Sequence, residues 1–182
     1  MAVVPQLFHR TGDPVVSYDD FDAVIPHFTA LTAEGLLDDV DAALVALTSA
    51  GVPARSTGVV GFCLGGTLAL ITAAHRPVGA AVTFYGSGIT NGRFGFGPLV
   101  DEVDAIGATW LGLYGDLDGG IPVDQVEQLR TAAAGAAHDT EIVRYPEAGH
   151  GFNCDQRDAF HAASAADAWQ RTLDWFARYL TY

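Results

Sequence analysis

The sequence predicts an α/β protein: a mostly parallel sheet with helices on both faces. Three observations carry that prediction. Short β-rich runs bounded by Gly and Pro alternate with segments of helical periodicity. The intervals between the runs are long enough for the crossover helices that parallel strands require. The length, 182 residues, suits one domain with a substantial core, so residues 1–182 are expected to form a single unit.

The first β-rich run is "AVVPQLF" at 2–8. Leu36, Leu37, Val40, Ala43, Leu44 and Leu47 then recur at helical spacing until Gly51 and Pro53 end the pattern. "TGVVGFC" at 57–63 is the second strand, and a helix over 64–75 leaves it directly. "GAAVTFYG" at 79–86 is the third. Residues 87–107 show little periodicity and several glycines; a connection of that length often lines a site. "ATWLGLYG" at 108–115, a helix over 122–135, "TEIVRYP" at 140–146 and a helix over 158–180 complete the series. In the last helix Phe160, Ala163, Ala166, Trp169, Leu173, Phe176 and Leu180 share one face, which reads as core packing.

Composition narrows the function. With 49% hydrophobic and 17% charged residues the chain is globular in character. Its net charge of −13 comes from 22 acids against 9 basic residues, every one of them Arg. Such a surface repels a phosphate backbone, so nucleic acid is an unsuitable partner, and an anionic small molecule would need a locally placed Arg. No apolar run approaches the roughly 20 residues that cross a bilayer, and the N-terminus lacks a signal pattern. A cytoplasmic protein without membrane partners is the expectation. Cys63 and Cys154 lack metal-site spacing, and there is neither a G-x-G-x-x-G nor a P-loop, so no metal or cofactor is expected.

The stretch "GVVGFCLGG" carries the chemistry. Gly61-x-Cys63-x-Gly65 is the nucleophile-elbow pattern with sulfur in place of oxygen: a tight strand-to-helix turn that pushes one side chain out beyond the sheet. There the helix N-terminus favours a thiolate, and the N–H of Leu64 points where an oxyanion would form. A thiol nucleophile needs a base, and the base an orienting acid. His150, between Gly149 and Gly151 in "EAGHGF", is the histidine with suitable context. The acid could be Asp116 or Asp118 in "YGDLDGGIP".

Taken in order, "PQLFHRTGDP", "GFCLGG", "FYG", "YGDLDGGIP" and "AGHGF" resemble the dienelactone hydrolase family of α/β-hydrolases along almost the whole chain. The resemblance implies an α/β-hydrolase fold and cleavage of a small lactone or carboxylic ester. Cys63 would be the nucleophile, His150 the base and Asp118 the acid, with a thioester intermediate. It further implies that Arg10 holds a substrate carboxylate and that Tyr85 contacts substrate. Two positions depart from the family pattern: "PDL" reads "PQL", and an arginine four residues after the histidine is Cys154.

By the same resemblance the chain begins at the family's fourth strand, without the first strands, the first crossover helix and the loop giving a second oxyanion donor. The strand at 57–62 would then lack a neighbour. Two arrangements meet that need: a homo-oligomer that covers the edge, or a monomer in which strand 2–8 has moved beside 57–62. Besides the hydrolase reading, the sequence leaves open a non-catalytic scaffold acting through oligomerisation and a redox-sensing thiol.

Overall fold

Four parallel strands, β1 (Gly58–Phe62), β2 (Ala80–Phe84), β3 (Thr109–Gly115) and β4 (Thr140–Tyr145), form one sheet in the order β1-β2-β3-β4. This is a computed structural model, and it describes residues 1–17 and 20–181. Among the described residues five helices accompany the sheet: α1 (Phe21–Thr29), α2 (Ala33–Ser49), α3 (Leu64–His75), α4 (Val123–Ala133) and α5 (Ala162–Tyr179). The α/β class and parallel sheet expected from the sequence are therefore present.

The two faces of the sheet can be told apart on β1, where side chains alternate. A Cβ on Gly61 would fall 1.8 Å from the Gly65 carbonyl at the start of α3, and one on Gly58 would fall 2.9 Å from Phe176 of α5. Residues three apart point to opposite faces, so α3 covers one side and α5 the other. β2 lies between them and is buried along its whole length. Thr83 ties the layers together: its hydroxyl donates to the Gly66 carbonyl at 2.9 Å and accepts from Trp110 Nε1 at 3.0 Å.

Residues 87–107, read as a structureless connection, pack into the core. Two short 3₁₀ turns, Leu99–Asp101 and Val103–Ala105, bury Leu99 and Val103, and Ile89 and Ile106 are buried on either side.

Residues 2–8 form no strand. Pro5 removes a ladder donor in the middle of the run, and the His9 N–H turns back to the Gln6 carbonyl to enter a 3₁₀ turn at His9–Thr11. The segment does not pair with β1, which remains an edge strand, so the monomer with strand 2–8 beside 57–62 is not what forms. Helix α1, capped by the Asp20 side chain on the Ala23 N–H, was not anticipated.

The apolar stripe expected to be the core face of α5 points largely outward. Phe160, Trp169 and Leu173 are 40%, 45% and 47% exposed, whereas Ala165, Ala168, Thr172 and Trp175 are buried. The small residues of the second stripe let the helix lie close over β2 and β3, a fit the bulky stripe could not give. Only Phe176 and Leu180, at its end, reach the sheet at Gly58. Trp175→Ala should therefore cost about 3–5 kcal/mol in chemical denaturation, while Trp169→Ala should stay within about 1 kcal/mol.

Candidate active site

Cys63 occupies the turn between β1 and α3 with φ +54°, a backbone conformation that L-residues rarely adopt. Its N–H donates to the Phe84 carbonyl at 3.0 Å, which holds the turn onto β2. The crowding explains the glycines: a Cβ on Gly66 would sit 2.4 Å from the Phe84 oxygen, as one on Gly61 would collide with Gly65. The turn thus projects the thiol beyond the carboxyl end of the strand, the position where α/β sheets gather ligands.

The loop after β3 supplies Asp118, and the loop after β4 supplies His150. Asp118 is 4% exposed; its Oδ1 accepts the Gly120 N–H at 2.9 Å and its Oδ2 accepts His150 Nδ1–H at 2.7 Å. His150 in turn stands beside the Cys63 sulfur, close enough for each to shift the other's proton affinity. Asp116 is engaged elsewhere: Arg144 Nε and Nη2 donate to its two oxygens, both at 2.7 Å, and Arg144 Nη1 reaches Glu127 at 2.9 Å. Of the two acids left open by the sequence, Asp118 is the one beside the histidine.

Electrostatics follow from that chain of contacts. Burial pushes the Cys63 thiol up, but the hydrogen bond and charge of His150, the Leu64 N–H and the charge of Arg93 together bring it below its ordinary value. Burial disfavours the His150 cation, yet Asp118 and Cys63 outweigh it and raise the imidazole to about 9. Each group thus favours the charged form of the other, the imidazolium drawing the thiol toward thiolate and the thiolate holding the imidazole's proton.

Tyr85 is buried with φ +40°, and its ring lies 5.0 Å from that of His150. Burial raises its phenol well above the usual range, and the Asn153 N–H donates to its oxygen. Leu64 is buried and directs its N–H to the sulfur. Arg10 is not brought to this cluster. Its Nη1 donates to Asp39 Oδ2 at 2.8 Å, beside a His9 contact to Asp39 Oδ1 at 3.0 Å, and it faces a small separate cavity. Cys63 instead lines a groove with β1, α2 and Arg157. Arg93 and Arg157 are the cations that sequence reasoning missed; each sits in a loop with no local pattern, and only the length of the 87–107 connection hinted at the first. Among the described residues no cluster of three His, Cys, Asp or Glu side chains could hold a metal ion, and no helix is long and apolar enough to cross a membrane.

The description of the dienelactone hydrolase family matches residues 1–180. The chain belongs to the dienelactone hydrolase family. As a member of that family it is a hydrolase. It is similar to a protein of Escherichia coli O157:H7 provisionally named carboxymethylenebutenolidase, at 39% identity over 98% of this chain and 67% of that one. The carboxymethylenebutenolidase of Rhodococcus opacus is 33% identical over 98% of this chain and 70% of its own length. Among solved structures, a provisionally named dienelactone hydrolase from Klebsiella pneumoniae superposes with a TM-score of 0.80 at 37% identity, covering 96% of this chain and 74% of that one.

The shifted thiol has a direct readout. Alkylation of Cys63 by iodoacetamide, followed at its own peptide by mass spectrometry, should reach half its maximal rate below the usual thiol pKa of about 8.5. Removing the cation in His150→Gln favours the neutral thiol, so the midpoint should move to higher pH.

Proposed function

We propose that the chain hydrolyses a small lactone or carboxylic ester with Cys63 as nucleophile, His150 as general base and acid, and Asp118 as the orienting group. The observation that carries the reading is the placement of His150 between a buried carboxylate and the sulfur of a strained turn. The name carboxymethylenebutenolidase, carried by the relatives, agrees with a lactone or ester substrate.

The Cys63 thiolate adds to the carbonyl carbon, and the electron pair of the C=O moves to oxygen beside the Leu64 N–H, which stabilises the charge as it develops. Collapse of this intermediate expels the alkoxide, which takes the Nε2 proton of His150, and leaves a thioester on Cys63. For a lactone the alkoxide remains tethered to the acyl group. His150, now neutral, takes a proton from water as the water adds to the thioester carbonyl; collapse releases the carboxylic acid and returns the proton to the thiolate–imidazole pair. Asp118 keeps Nδ1 protonated throughout, so that Nε2 is the atom exchanging the proton. Tyr85 walls the imidazole against rotation. Arg10, bonded to Asp39, takes no part.

Turnover of p-nitrophenyl acetate tests the assignment. Cys63→Ala should abolish it with the fold intact, since the turn accepts a small residue. Asp118→Asn should lower kcat by up to about 10⁴, and Asp116→Asn, which breaks only the Arg144 pair, by far less. Wild-type turnover in Cys63→Ala would sink the assignment.

A further inference from the structure

The contact between Asp118 and His150 joins two separate loops, so its 2.7 Å length requires both loops to be fixed. The backbone zips them together. The Asp116 N–H donates to the Tyr145 carbonyl at 2.9 Å and the Leu117 N–H to the Ala148 carbonyl at 2.9 Å, and a Cβ on Gly115 would fall 2.2 Å from the Ala148 oxygen. A side-chain clamp spans the same gap. Arg144, on β4 opposite Tyr114 of β3, donates from Nε to Asp116 Oδ1 and from Nη2 to Oδ2, while its Nη1 reaches Glu127 of α4. Glu127 is also gripped by Arg130, whose Nη1 donates to the Ile142 carbonyl of β4 at 2.6 Å. A planar guanidinium engaged at three N–H groups fixes its partners in direction as well as distance, which a point charge cannot do. The side chains of Arg144 and Asp116 are 30% and 19% exposed, so water competes for the pair less than at an open surface.

We propose that Arg144 is a positioning residue for the orienting acid: its grip on Asp116 fixes the loop that presents Asp118 to His150. The inference rests on the hydrolase reading above and adds a residue to it. Asp116 and Asp118 share one short turn, closed by the Asp118 N–H on the Gly115 carbonyl at 3.3 Å and by the Ile121 N–H on the Asp118 carbonyl at 3.1 Å. A turn this short passes a shift of Asp116 on to Asp118. The Asp118 carboxylate is buried, so it depends on the Gly120 N–H and the imidazole in place of water, and both are met only at one loop position. Loss of the clamp therefore loosens the contact that orients His150. Misplacement by about 1 Å in such a site costs up to about 10²-fold in rate.

Arg144→Gln should lower kcat for p-nitrophenyl acetate by about tenfold and leave KM within about twofold, because the residue works through the acid and not on the substrate. Arg144→Lys keeps the charge without the planar fork and should lose about threefold. In Asp118→Asn the clamp has no acid left to position, so adding either substitution should cost less than about twofold more. His150 gives a second readout that needs no turnover. Its imidazole resonance, identified by its loss in His150→Gln, can be titrated by NMR in Cys63→Ala, where no thiolate is coupled to it. Removing the Arg144 cation would by charge alone raise the imidazole, whereas loosening the Asp118 contact lowers it, since Asp118 is what holds it up. The midpoint should therefore fall when Arg144→Gln is added. An unchanged kcat, a loss that adds in full to that of Asp118→Asn, or a midpoint that stays or rises would overturn the positioning role and leave the hydrolase standing. Should Arg144→Gln fail to fold, Arg144→Lys decides by the same measurements. A wild type that turns over no ester brings down the hydrolase reading, and the NMR midpoint then still decides whether Arg144 holds Asp118 in place.

Discussion

The turn at Cys63 depends on how closely three pieces of backbone pass one another. β1, the start of α3 and the end of β2 meet where the Phe84 carbonyl accepts the Cys63 N–H and lies against the bare Cα of Gly66. No side chain fits between them. The cysteine accepts an unfavourable φ because its neighbours leave no other path, and that path points the sulfur out of the sheet. Thr83 and Trp110 brace the same junction from within by buried hydrogen bonds.

Around that fixed sulfur the charges are arranged by burial. Asp118 is nearly inaccessible, so its carboxylate relies on the Gly120 N–H and on His150 in place of water. The same dependence holds the imidazole in one orientation and keeps it cationic to high pH. Asp116, two residues earlier, spends its charge on Arg144 and thereby joins the end of β3 to β4 and α4. One loop thus carries both an acid for the site and an acid for the scaffold.

The difference between those two acids shows what the sequence could and could not reveal. Cys63 and His150 were legible because short-range glycines mark tight turns at strand ends. The four core strands were legible because buried parallel strands are continuous apolar runs. Asp118 could not be separated from Asp116 by local pattern, since the partner that removes Asp116 is Arg144, distant in sequence. The outward face of α5 was misread because period alone cannot choose between two stripes; the choice fell to the small residues Ala165 and Ala168, whose size sets how closely the helix approaches the sheet. The run at 2–8 had strand composition but a proline in its middle, and Arg10 followed it onto Asp39 and away from the sulfur.

In the order β1-β2-β3-β4 every strand neighbours the next in sequence, and the strand that leads to the histidine is the last. His150 follows β4, so it can stand beside Cys63 only once that strand has docked. Until β4 docks, Cys63 lacks the cation that draws off its proton. A nascent or partly folded chain therefore carries an ordinary thiol, slow to react with electrophiles and oxidants, and reactivity arrives only with the completed sheet.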